Sequence, residues 1–272
     1  MPSNAIPLHE KLALLQHNLA ELKSVAVAFS GGVDSALLLY VAHEVLGEDA
    51  VAITAQSPTF PERELAEATQ FCQTYGIAHL TCKTNELELE NFRHNPTNRC
   101  YLCKHNMFEQ FSVIAQQHNL AHIVEGSNVD DEGDYRPGSQ AIAELDIKSP
   151  LKEAGLTKAD IRALSQQMGL PTWNKPSFAC LSSRFVYGDT ITESKLSMVD
   201  QAEQFLLDLG FSQVRVRIHE TLARIEVVPE ELNTLMQPET REAIVHAFKA
   251  YGFTYITADL IGYRTGSMNE TL

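Results

Sequence analysis

Basic residues are scarce in this sequence, and no run of Lys and Arg interrupts it. The 21 basic residues stand against 35 acidic ones, for a formal net charge of −14. Nucleic-acid binders carry a basic patch, so a nucleic-acid partner is disfavoured and the acidity is read as a solubility device. No apolar run approaches the roughly 18–20 residues that cross a bilayer. The opening residues, MPSNAIPLHEKLALL, lack the basic start, apolar core and small-residue cleavage site of a secretory signal. The expectation is a soluble, cytoplasmic protein with no membrane partner. Cysteine is also sparse. Five in 272 residues are too few for a disulfide scaffold, and a chain of this length can build a core without one. Trp173 is the single tryptophan and is expected to pack, with stacking on a base as the alternative. The ten histidines are scattered, and no metal is assigned to them.

What is present is a rhythm. Leu12, Leu15, Leu19 and Leu22 recur at helical spacing. SVAVAF then reads as a buried strand, and ALLLYVAHEVLG as an apolar helix that ends at Gly47. Strand AVAIT, helix ERELAEATQFCQTYG, strand IAHLTC, helix KHNMFEQFSVIAQQHN and strand AHIVEG follow, with a further helix in TKADIRALSQQMG. Alternation at this pitch predicts an α/β fold: a doubly wound parallel sheet covered on both faces, with ligands at the carboxyl ends of the strands. Past about residue 190 the order changes to helix SKLSMVDQAEQFLLDLG, alternating strands VRVRIHE and ARIEVVP, helix REAIVHAFKA and strand YITADL. Two domains are expected, 1–190 and a small α+β domain over 191–272, with the boundary somewhere in 185–195.

AFSGGVDSALLL lies between a predicted strand and a predicted helix, the context a phosphate-binding loop needs. Gly31 and Gly32 permit close backbone approach and unusual dihedrals. The helix that follows aims unpaired N–H groups and partial positive charge at an anion. Ser30 and Ser35 offer hydroxyls, and Asp34 could hold Mg2+. The Walker pattern GxxxxGK[ST] is absent. In VRVRIHE, Arg215 and Arg217 sit two apart on a strand and share a face, as either an anion site or a ladder paired with glutamates.

The SGGVDS loop resembles that of the PP-loop ATP pyrophosphatase family. Three more stretches narrow the resemblance: EGSNVDDEGDYRPG with Asp130, Asp131 and Asp134, WNKPSFACLSSRFVYGDTIT with Cys180, Ser183 and Arg184, and the closing DLIGYRTGSMNE. Together with the loop they are similar to the LarE family, the ATP-dependent sulfur transferases of nickel-pincer nucleotide cofactor synthesis, over almost the whole chain. The resemblance implies ATP and Mg2+ as co-reactants and a small nucleotide substrate, pyridinium-3,5-biscarboxylic acid mononucleotide. Its carboxylates are adenylated and converted to thiocarboxylates. It further implies that Ser30, Gly31, Gly32, Asp34, Ser35 and Gly126 bind the nucleotide. Ser183, Arg184, Glu203, Arg215 and Arg217 are implied to bind the substrate, and a homo-oligomer is expected.

Cys100 and Cys103 form a CxxC, with Cys180 far downstream. The pair alone suits zinc, a redox couple or packing. Zinc usually wants four closed ligands, the fourth from a residue such as His94 or His105. The resemblance implies that all three cysteines hold a [4Fe-4S] cluster that carries the transferable sulfur, reloaded by a sulfur donor or an iron–sulfur assembly protein. The alternative within the same family is sacrifice of the Cys180 sulfur. Lys104, directly after Cys103, is a candidate cation for the phosphates or a solvated helix-start lysine. Cys72, on an apolar helix, and Cys82, near a strand end, read as core or edge residues. The competing functions are a PP-loop tRNA thiolase, an ATP-binding regulatory module with structural zinc, and an amide-forming synthetase.

Overall fold

A computed structural model describes residues 6–131, 137–264 and 266–268. The chain divides into two compact units. The first comprises residues 1–57, 62–84 and 100–177; the second comprises 58–61, 85–99 and 178–272.

The first unit holds helix α1 (Leu8–Leu22), β1 (Val25–Ala28), α2 (Val33–Leu46), β2 (Ala50–Gln56), α3 (Glu62–Tyr75), β3 (His79–Lys83), α4 (Arg99–Gln117), β4 (His122–Val124), α5 (Gly138–Glu144), α6 (Pro150–Glu153) and α7 (Lys158–Gln167). All four strands are parallel and ordered β3-β2-β1-β4. Val25 lies opposite Ala50 on one side and His122 on the other. β1 and β2 are near-continuous apolar runs because both faces of a parallel sheet are covered. α2 is apolar on almost every side, and Val33, Ala36, Leu37, Leu38, Leu39, Val41 and Ala42 are all buried. It sits within the main core with Leu15 and Leu19 of α1 and Ile161 and Leu164 of α7. The start of α7 is fixed by a capping box between Thr157 and Asp160, with Lys11 donating to Asp160 at 2.6 Å.

The strand order contains one reversal. β2 and β3 extend the sheet on one side of β1, and β4 joins on the other. Ligands in such sheets bind where the order reverses, beyond the strand carboxyl ends. Here that is the loop after β1, residues 29–32, beside the loop after β4, residues 125–128.

The second unit is built on a three-stranded sheet, β5 (Val214–His219), β6 (Leu222–Val227) and β7 (Tyr255–Ala258), ordered β5-β6-β7. β5 and β6 are antiparallel, β6 and β7 parallel. Helices α8 (Glu193–Asp208), α9 (Leu232–Leu235) and α10 (Pro238–Tyr251) complete it. α10 starts with Pro238 at its first position and stops at Gly252 in the left-handed region, the usual placement of both residues. A single bridge from Phe185 to Ile218 covers the outer side of β5.

Candidate functional site

In the first unit the phosphate loop is closed by its own hydroxyls. Gly31 has φ 71, a conformation glycine adopts without penalty. Gly32 caps α2. The Ser35 hydroxyl donates to the Gly32 carbonyl at 3.2 Å and lies 3.1 Å from the Ser30 hydroxyl. The Gly32 N–H in turn reaches Ser30 Oγ at 3.4 Å. Gly126, just after β4, meets the first turn of α2 so closely that a Cβ there would stand 3.1 Å from the Ser35 nitrogen. Ser30, Gly31, Gly32, Asp34, Ser35 and Gly126 are thus gathered at the reversal in strand order.

Two lysines missed in the sequence complete this end of the sheet. Lys158, the first residue of α7, forms an ion pair with Asp34. The other Asp34 oxygen accepts from Asn128 Nδ2 at 3.4 Å. Lys175 Nζ reaches the Gly31 carbonyl at 3.2 Å, Glu64 at 2.7 Å and Glu67 at 2.6 Å. Burial works against the charge on Lys175, but the two glutamates outweigh it and its pKa ends above the ordinary lysine value. Lys158 belongs to no recognisable motif, and Lys175 lies in the WNKPSFACLSSRFVYGDTIT stretch without having been singled out there. The WNKPS context of Lys175 was the available signal, and its neighbours only appear in three dimensions.

Among the described residues, the cations bonded to the loop and its first turn are Lys158 and Lys175, and Lys104 is not one of them. The Lys104 stem lies over Gly138, where an added Cβ would come within 2.7 Å of it. Asp130 and Asp131 are engaged locally, with Asp130 accepting from the Lys158 amide at 2.7 Å and Asp131 from the Asn128 amide at 2.9 Å. Asp134 lies outside the described residues.

In the second unit, Cys180 precedes a 3-10 turn, Leu181–Arg184. Arg184 is wholly buried, with 0% of its surface exposed. It forks onto Glu203 at 2.9 and 2.8 Å, and its remaining arm donates to the carbonyls of Ala179 and Cys180 at 2.5 and 3.0 Å and to the Ser183 hydroxyl at 2.8 Å. Glu203 also accepts from the Val216 amide at 2.8 Å. Burial alone would raise the Glu203 pKa, but the Arg184 guanidinium holds it below the ordinary carboxylate value. Arg184 therefore ties the Cys180 segment to α8, and through Glu203 to β5.

Arg215 and Arg217 share a face of β5, and both are buried rather than solvent-facing. Arg217 pairs with Glu226 at 2.8 Å and donates to Ser267 Oγ at 2.9 Å and the Ser183 carbonyl at 3.1 Å. Its Nε is buried without a partner among the described residues. Arg215 donates to the Val214 carbonyl at 2.7 Å and lies 5.2 Å from the Tyr263 ring centre. Burial, reinforced by the nearby positive charge of Arg184, pushes its pKa down to about 10. Cys180, Ser183, Arg184, Glu203, Arg215 and Arg217 therefore belong to one connected neighbourhood, in which Arg184 pairs with Glu203 and Arg217 with Glu226.

None of the five cysteines is in a disulfide. Cys100 and Cys103 lie one turn apart at the start of α4, exposed and half-buried, and Cys180 is half-buried. As a donor set, three accessible thiols suit soft-metal or iron–sulfur ligation. Among the described residues, no group of three or more His, Cys, Asp or Glu is assembled to hold a metal. Cys72 is buried in the core, which pushes its thiol up to about 12. Cys82 is also buried, and its S–H points at Gln110 3.4 Å away. No helix among the described residues is long and apolar enough to cross a membrane.

Comparison with known proteins gives three relationships of note. The NAD synthase family model matches residues 10–122, the span of the phosphate loop and parallel sheet. An uncharacterized protein of Synechocystis sp. is 44% identical over 97% of this chain and 99% of its own length. The pyridinium-3,5-bisthiocarboxylic acid mononucleotide synthase of Lactiplantibacillus plantarum is 38% identical over 97% of this chain and 96% of its own.

Proposed function

Because the chain belongs to the family of pyridinium-3,5-bisthiocarboxylic acid mononucleotide synthase, LarE, we propose that it is an ATP-dependent sulfur transferase acting on pyridinium-3,5-biscarboxylic acid mononucleotide. The observation that carries this is the 38% identity across nearly the full length of both chains. The phosphate loop at the reversal in strand order and the arginines Arg184, Arg215 and Arg217 in the neighbourhood of Cys180 support it.

A substrate carboxylate oxygen attacks the α-phosphorus of ATP, pyrophosphate leaves, and the carboxyl group becomes an acyl-adenylate. A sulfur nucleophile displaces AMP and leaves a thiocarboxylate, and a second round treats the other carboxylate. Gly32, Ser30, Ser35 and the α2 N-terminus bind the phosphates through amides and hydroxyls. Lys158 offsets their charge. On exchanging Lys158 for a phosphate partner, Asp34 becomes available to Mg2+, which when bound neutralises the developing pyrophosphate charge. Arg215 and Arg217 take the substrate's phosphate and carboxylate, since guanidinium suits planar oxyanions. Arg184 and Glu203 hold the Cys180 segment in place.

Cys100, Cys103 and Cys180 are the residues that would hold a [4Fe-4S] cluster, which when bound carries the transferable sulfide. A thiol or sulfide donor, or an iron–sulfur assembly protein, reloads it. The chain works in the cytoplasm as a homo-oligomer; the exposed apolar side chains of Tyr255, Leu260 and Ile261, at 66%, 90% and 65%, support the association alone.

The test is pyrophosphate release from Mg-ATP by anaerobically reconstituted protein, with the biscarboxylate mononucleotide or tRNA as the acceptor. Release dependent on the mononucleotide supports the reading. Release dependent on tRNA, or none, overturns it. Iron and labile sulfide assayed on the same sample, with each cysteine variant beside it, separate cluster-borne sulfur from loss of the Cys180 sulfur.

A further inference from the structure

We propose that Lys175 is the positioning residue of the phosphate loop: it holds the Gly31 carbonyl so that the Gly31–Gly32 peptide presents its N–H to the anion. The proposal rests on the nucleotide site above and adds a residue outside the loop motif.

An ammonium has three N–H donors. Those of Lys175 are matched by three oxygens: Gly31 at 3.2 Å, Glu64 at 2.7 Å and Glu67 at 2.6 Å. No donor is left over for a phosphate, so the lysine acts through Gly31 and not on the nucleotide. Gly31 needs such a restraint. Its φ is 71, and a glycine can change conformation at low cost. In a trans peptide the carbonyl and the next N–H point in opposite directions, so anchoring the Gly31 oxygen aims the Gly32 N–H. That N–H now rests on Ser30 Oγ at 3.4 Å, a long contact that a phosphate oxygen replaces with a shorter, charge-assisted one.

The lysine is itself firmly mounted. Arg162 of α7 donates to the carbonyls of Trp173 and Lys175 at 2.7 and 2.9 Å, which pins the backbone beneath it. Lys175 and Glu64 have side chains only 16% and 7% exposed, so the pair is shielded from solvent screening. The exposed partner, Glu67 at 57%, adds orientation more than energy.

Lys175→Met alone would strand the buried Glu64 carboxylate, so the deciding variant is Lys175→Met combined with Glu64→Gln, compared with Glu64→Gln alone. The readouts are affinity for Mg-ATP by calorimetry, affinity for adenosine by competition, and the melting temperature. In the double variant ATP affinity falls about tenfold or more, the scale of one hydrogen bond to a charged group. Adenosine affinity and melting temperature stay with the single variant. Lys175→Arg, which keeps a donor for the carbonyl, retains most of the ATP affinity. Equal ATP affinity in the double and single variants overturns the brace, as does an equal loss for adenosine and ATP. Wild-type protein that binds no ATP overturns the nucleotide site itself, and the brace with it.

Discussion

Asp34 and Lys158, far apart in sequence, form an ion pair that ties the first turn of α2 to the first residue of α7. Both side chains are partly exposed, at 24% and 32%, so the pair adds at most about 1 kcal/mol to stability. Its weight falls on the nucleotide. Lys158→Ala is expected to lower kcat/KM for ATP by about tenfold and to flatten its salt dependence, while the melting temperature barely moves. Steady-state kinetics at two ionic strengths check this.

The Arg184–Glu203 pair is the opposite case, because both partners are buried. Glu203→Ala leaves an uncompensated guanidinium and is expected to cost about 3–5 kcal/mol in denaturant unfolding. Replacing both residues with apolar ones of similar volume should recover much of that loss.

The same pair sets an acid limit. The Glu203 carboxyl is held below its ordinary value, so its contribution to stability is complete above the unfolded-chain pKa of about 4.3. The contribution is lost as pH falls from there through the lowered folded value. Unfolding free energy measured between pH 6 and 3 should therefore decline more steeply in wild type than in Glu203→Gln.

Gly126 is expected to tolerate no side chain. The added Cβ of Gly126→Ala would press on the Ser35 nitrogen at 3.1 Å and the Asp34 Cβ at 3.3 Å. A cost of about 1–3 kcal/mol follows, along with loss of ATP binding out of proportion to it. Calorimetric titration with ATP, set beside a melting curve, separates the two effects.

The five cysteines should divide by accessibility. Cys72, buried and with its thiol pushed up to about 12, should resist alkylation in the folded protein, whereas the exposed Cys100 should react in the cluster-free protein. Peptide mapping after brief iodoacetamide treatment reads this directly, and rapid labelling of Cys72 would contradict the described packing.

The parallel sheet and the loop between β1 and α2 were legible because their signals are local. VAVA, AVAIT and SGGVDS carry their own propensity and dihedral requirements. The alternation in VRVRIHE likewise revealed β5. Its burial was not legible, because Glu203 and Glu226, which satisfy its strand and its arginines, come from other elements. Lys158 and Lys175 escaped for the same reason, since a lysine declares a role only through neighbours that folding supplies. Lys104 attracted notice by adjacency to Cys103, yet its stem lies against Gly138. Nor does order along the chain reveal that residues 85–99, a series of tight turns, pack with the second unit.

Sulfur transfer to an adenylated carboxylate is tested most directly by the mass of the product. Anaerobically reconstituted protein would be incubated with Mg-ATP and pyridinium-3,5-biscarboxylic acid mononucleotide, with Cys180→Ala in parallel. The expected result is replacement of carboxylate oxygen by sulfur in the wild-type reaction, accompanied by AMP and pyrophosphate, and none with the variant. AMP and pyrophosphate without sulfur in the product, or a sulfur-bearing product from Cys180→Ala, would contradict it.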